Sequence, residues 1–90
     1  MTLKDSLTQT IKSSMKAREM EVVKILRNIQ AAIKKVEIDH QTTLDDNAVL
    51  ELLQKQIKQR QESLDIYQAN GRDDLAAKEK FEIEVIGQFL

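Results

Sequence analysis

Residues 46–75, DNAVLELLQKQIKQRQESLDIYQANGRDDL, constrain the fold of this chain more than any other stretch. From Asp46 to Asn70 there is no glycine or proline, and Leu, Gln, Lys, Glu and Arg dominate. These side chains lose little rotamer freedom in a helix. Val49, Leu50, Leu53, Ile57, Leu64 and Tyr67 recur at helical rather than strand spacing. Asn70-Gly71 then stops the helix, because glycine accepts the left-handed conformation that closes a helix end. Asp73 and Asp74 follow, where the positive end of a new helix favours carboxylates. The segment predicts a helix about 37 Å long, a tight corner at Gly71-Arg72-Asp73, and a second helix. A positive φ is expected at Gly71, and a valine there should cost ~1 kcal/mol or more.

The rest of the composition agrees with an all-α fold. The chain has 90 residues, no proline, two glycines and 41% hydrophobic residues, enough for one small domain. A domain of this size buries only about 60–65% of its unfolded surface, so modest stability is expected. Cysteine is absent, which removes disulfides, thiolate metal sites and thiol nucleophiles. No apolar run reaches the ~18 residues of a membrane span, and the first residues lack a signal-peptide core. The plain reading is a soluble cytoplasmic protein with no membrane association.

Taken in order, Thr2-x-x-Asp5 forms a capping box with Asp in place of Glu. Leu3, Leu7, Ile11 and Met15 lie four apart on one row of a first helix. Val22, Ile25, Leu26, Ile29, Ala32, Ile33 and Val36 continue in threes and fours, so the phase alone permits one unbroken helix from Leu3 to Asp39. The period lapses from His40 to Leu44, the clearest loop of the first half. Asp45, rather than Thr43, is the expected cap of the long helix. Gln54 to Glu62 is polar all round apart from Ile57, a face suited to solvent or to hydrogen bonding with RNA. The last helix carries Leu75, Ile83, Ile86 and Phe89 inward, with Phe81 and Val85 flanking and a Lys78–Glu82 i, i+4 pair. Its bare apolar end, Phe89-Leu90, suggests a fragment of a longer protein or an end that docks on a partner.

Catalytic and metal motifs do not assemble. His40 is the single histidine, and the glycines at 71 and 87 form no phosphate loop. Glu79 and Glu82 share a helix face but lack the Glu-x-x-His partners of a di-iron bundle. No metal, cofactor or catalytic residue is therefore assigned.

Three segments together resemble the bacterial GatB/YqeY family. They are Ala32-Ile33-Lys34-Lys35-Val36-Glu37-Ile38, the run Leu53 to Ser63 (LQKQIKQRQES), and Tyr67 to Leu75 (YQANGRDDL) with Glu79, Glu82-Ile83 and Phe89-Leu90 beyond it. The resemblance covers essentially the whole chain. It implies four helices in an N-terminal part, with a short break between the first two, here near Ala17–Glu19. It also implies a smaller helical C-terminal part, introduced by a proline after Phe-Leu, which this sequence does not contain. A related region ends the B subunit of glutamine-dependent Asp/Glu-tRNA amidotransferase, on its tRNA-handling side and away from the transamidation chemistry. The resemblance thus implies a role in tRNA metabolism. It carries over no catalytic residue, although kinship could attach a carbon–nitrogen ligase label.

Charge adds a second line. Residues 1–36 hold eight cations against three anions, a net +5, and residues 37–90 hold six against twelve, a net −6. Two solvated faces that partly neutralise each other would give this split, and so would a basic face for RNA. On the RNA reading the candidates are Lys12, Lys16, Arg18, Lys34, Lys35, Lys55, Lys58 and Arg60, contacting tRNA directly or serving a tRNA-handling partner. The alternative is an interaction scaffold that docks on another protein or self-associates. The overall expectation is one four-helix domain over residues 1–90, with helices near 2–17, 19–39, 45–70 and 73–89. Its core should comprise Leu7, Ile11, Leu26, Ile29, Ile33, Leu53, Ile57, Leu64, Leu75, Ile83 and Ile86.

Overall fold

Apolar spacing and end signals resolve the chain into four helices and no strand. The computed structural model describes residues 1–90, with α1 at Leu3–Lys16, α2 at Met20–His40, α3 at Asp46–Ala69 and α4 at Asp73–Gly87. Thr2 Oγ1 accepts from Asp5 N–H at 3.0 Å and Asp5 returns the bond, completing the capping box. Asp45 caps α3 by accepting from Ala48 N–H at 2.9 Å.

Three helices end in the same way. At each end a left-handed residue lets the backbone fold back onto the last carbonyls. Gly71 does this after α3, with φ 68°, Arg72 N–H on Tyr67 O and Gly71 N–H on Gln68 O. Arg18 closes α1 at φ 59°, with Glu19 N–H on Ser14 O and Arg18 N–H on Met15 O. Gln41 closes α2 at φ 50°, with Thr42 N–H on Glu37 O. The continuous helix that the apolar phase permitted is therefore broken at Ala17–Glu19. His40 is the last residue of α2 and not part of the loop. A Cβ on Gly71 would meet nothing within 4 Å, so substitution there acts through the backbone alone. Gly71→Val is expected to lower the unfolding free energy by ~1–2 kcal/mol and Gly71→Asn by less, measured by urea denaturation.

The helices pair as two hairpins, α1/α2 and α3/α4, which pack on each other to enclose the core. Leu7, Ile11, Val23, Ile25, Leu26, Ile29, Ile33, Val49, Leu53, Val85 and Ile86 form one buried cluster, with Ile57 and Phe89 against it. Only the first half of α3 and the second half of α4 contribute to it. Their other halves extend as a two-helix arm around buried Leu64 and Ala76. The radius of gyration of 13.9 Å and extents of 41 × 32 × 20 Å reflect that arm; a compact 90-residue domain would give about 12 Å.

The arm corrects part of the expected core. Leu75, on the arm, is only half-buried, since two helices cannot cover a residue on every side, and so are Ile57 and Ile83, where the arm leaves the core. Val23, Ile25, Val49 and Val85 are buried instead. Phe81 is 43% exposed, and Phe89 folds back onto the cluster while Leu90 stays open. The expected Lys78–Glu82 pair does not form. Glu82 instead turns inward to Arg60 of α3, whose Nε lies 2.9 Å away, and each side chain is 16% exposed.

Candidate functional site

The antiparallel packing of α1 on α2 leaves an open groove of about 480 Å³ on one side of the hairpin. Leu7, Ala31 and Ile33 supply its apolar lining, and Lys4, Thr8, Arg27, Gln30, Lys34 and Glu37 its polar rim. Helical spacing places these groups. Lys4 and Thr8 lie one turn apart on α1, and Arg27, Ala31 and Lys34 follow one exposed row of α2. Gln30 Nε2 donates to Thr8 Oγ1 at 3.2 Å across the groove. Arg27 Nη2 reaches only the Met15 sulphur, at 3.6 Å, a weak acceptor. Lys12 lies one turn beyond Thr8, Lys24 one turn before Arg27, and both are exposed.

The groove's one carboxylate is already committed. Glu37 Oε2 accepts from Lys4 Nζ at 2.6 Å and from Leu44 N–H at 2.9 Å. These two bonds, the first foremost, hold the Glu37 carboxyl below its ordinary 4.5, with a further contribution from the Lys34 charge. Leu3 N–H donates to Asp46 Oδ1 at 3.0 Å nearby, so α1, the α2–α3 loop and α3 are fastened at one corner. A depressed carboxyl stabilises the fold above its unfolded pKa, and that contribution is lost as pH falls through the folded one. The stability gap between the wild type and Glu37→Gln is therefore expected to be full at pH 7 and to close below about pH 4.5, read from urea midpoints across pH 7 to 3.

The structure separates the sequence candidates. Lys34 lines the groove, Lys12 borders it, and Lys16 and exposed Arg18 lie at the α1–α2 turn. Lys35 pairs with Asp39 at 2.8 Å, a bond that raises the Lys35 pKa and lowers that of Asp39. Lys55 borders a different depression with Val36, Leu44 and Leu52, between α2 and α3, and Lys58 is exposed on α3. Arg60 is held by Glu82 and the Gln56 side chain. Arg72 precedes α4 and lies 3.5 Å from Asp74, so the Gly71–Asp73 turn is a structural corner. Lys4, Lys24 and Arg27 were not among the candidates, although the 24, 27, 34 spacing on a helix already puts three cations on one face. No group of three His, Cys, Asp or Glu side chains is placed to hold a metal ion, and no helix is long and apolar enough to cross a membrane.

An all-helical chain of two packed hairpins with a basic groove is the class of protein the geometry defines. The family model described as Yqey-like protein matches residues 4–90. Among relatives, Altered inheritance of mitochondria protein 41, mitochondrial, of Eremothecium gossypii is 36% identical over 85 residues, spanning 93% of this chain and 46% of that protein. The protein of the same name from Candida glabrata is 34% identical over 87 residues, spanning 94% and 48%. The Saccharomyces cerevisiae protein is 33% identical over 81 residues, spanning 89% and 44%. The chain belongs to the YqeY-like family, and it spans about half the length of the relatives it matches.

These relatives are mitochondrial proteins by name, and they overturn the expectation of a cytoplasmic location. That expectation rested on absent cysteine and an absent signal-peptide core. Those features bear on disulfides and secretion and are silent about organelles.

Proposed function

We propose that this chain is a non-catalytic helical platform that associates with tRNA. The observation that supports this reading is the α1/α2 groove, where cations outnumber the one carboxylate and that carboxylate is already neutralised by Lys4. Lys12, Lys24, Arg27 and Lys34 then present uncompensated positive charge along one hairpin, the electrostatic footprint of a phosphate-binding surface. The kinship to the tRNA-handling tail of the amidotransferase subunit points to the same partner. The carbon–nitrogen ligase chemistry of that complex is not assigned to this chain.

The test is tRNA binding by this chain, beside a version extended through the family's C-terminal part, at two salt concentrations. Binding by this chain that weakens with salt supports the platform reading. Binding by the extended version alone moves the RNA contacts beyond Leu90, and binding by neither removes the reading.

The charge split favours a second reading, a self-associating scaffold. The basic α1/α2 hairpin of one copy would meet acidic α3/α4 of another, where Asp73, Asp74 and Glu84 are exposed. A monomer mass at high protein concentration and low salt would exclude it.

A further inference from the structure

We infer that the α1/α2 groove holds the phosphodiester backbone of RNA, along Lys24, Arg27 and Lys34 with Lys12 on the opposite rim, and that it does so without reading bases. This rests on the RNA reading above and specifies its mode.

The donors available in the groove carry the argument. Thr8 and Gln30 are bonded to each other, and Lys4 is bonded to Glu37. Gln30, the one amide of the lining and the group suited to an adenine edge, is engaged, and the deep, narrow major groove of base-paired RNA keeps guanine edges out of reach of Arg27 and Lys34. What remains is charge. Arg27 has a thioether where a guanidinium ordinarily finds a carboxylate, and Lys34 has no ion pair. A phosphate oxygen is a far stronger acceptor than the Met15 sulphur and would displace it.

No aromatic residue lines the groove. Tyr67, Phe81 and Phe89 all belong to α3, α4 or the end of the chain. Base stacking, the usual grip on unpaired nucleotides, is therefore missing from this surface. The apolar floor of Leu7, Ala31 and Ile33 lowers the local dielectric and strengthens what the cations do. From Lys24 to Lys34 the row runs about 15 Å along the helix axis, long enough to meet more than one phosphate.

The experiment compares a tRNA with an unrelated base-paired RNA of equal length, by fluorescence anisotropy between 50 and 200 mM salt. The two RNAs are expected to bind within about threefold of each other, because contacts to the backbone carry no sequence information. Arg27→Ala/Lys34→Ala should shrink the log–log salt slope by about 1.8, near 0.9 for each lost phosphate contact. Lys55→Ala/Lys58→Ala should leave the slope unchanged. All four side chains lie outside the core cluster, and unchanged circular dichroism and melting confirm that the variants fold.

Binding of tRNA with an unaltered slope in Arg27→Ala/Lys34→Ala overturns the inference and leaves the functional reading standing. A preference for tRNA above about 100-fold overturns backbone-only recognition. If the groove substitutions abolish a dimer and no RNA binds, the groove belongs to the acidic hairpin of a second copy, and both readings fall.

Discussion

Leu53→Ala is expected to lower the unfolding free energy by about 3–4 kcal/mol, within the range for truncating a fully buried leucine. Leu53 is 0% exposed, and with Val49 it is where α3 enters the core shared with α1 and α2. Truncation removes the transfer energy of the lost carbons and leaves a cavity between the two hairpins. Closing that cavity would mean moving the corner fastened by Glu37 and Asp46. A 90-residue domain has roughly 5–13 kcal/mol in total, so the loss is a large fraction of its stability. Urea denaturation should show a lower midpoint with an unchanged m value. Ile66→Ala, at a position 60% exposed, should change stability by less than about 0.5 kcal/mol. A loss below about 1 kcal/mol for Leu53→Ala would contradict a core shared by the two hairpins.

The second large effect is expected at the Arg60–Glu82 pair. Its side chains are each 16% exposed, and it clamps the middle of α3 to α4 where the arm leaves the core. Arg60→Ala leaves the Glu82 carboxylate half-buried and without its partner. A fully buried pair broken in this way loses about 3–5 kcal/mol, so partial exposure brings the expected loss to about 2–3 kcal/mol. The cause is desolvation of the remaining charge, which gives a sharper expectation. Arg60→Met/Glu82→Leu should recover most of the loss, because two apolar side chains of similar volume need no partner. Lys35→Ala breaks a pair whose lysine is 76% exposed and should leave the urea midpoint essentially unchanged. A double variant as unstable as Arg60→Ala would show that the arginine acts through packing rather than charge.

These residues also show where the fold was legible. The α3–α4 corner could be read because Gly71 occupies the left-handed position, and glycine is the residue that reports it. The closures of α1 and α2 use the same backbone geometry but place Arg18 and Gln41 there, residues with no such signature. The break after α1 therefore came from the family resemblance, while the apolar phase ran straight through it. The core was legible on α1 and α2 except for Val23, next to the in-phase Val22, and Ile25, which lay in the apolar row but not in the expected core. It was overestimated on the arm, where period alone cannot tell how many helices cover a residue.

Charge was harder to read than packing. Counting placed the positive half correctly in α1 and α2. It could not tell engaged cations from free ones, because the partners are remote in sequence: Lys4 with Glu37 across 33 positions, Arg60 with Glu82 across 22. Lys35 with Asp39 was the exception, an i, i+4 pair visible on one helix. The groove row at Lys24, Arg27 and Lys34 was open to a spacing argument, yet Lys24 and Arg27 were not among the candidates, and the row stood out only once the surrounding acids were accounted for.

On the reading proposed above, the α1/α2 groove is where this platform meets RNA. The most direct measurement is the amide chemical-shift map of the isotope-labelled chain as tRNA is added at low salt. Shifts are expected to concentrate at Thr8, Lys12, Lys24, Arg27, Ala31 and Lys34 and to reverse with added salt, with the arm from Leu64 to Ala76 unmoved. Shifts confined to α3 and α4, or no shifts with tRNA in excess, would contradict it.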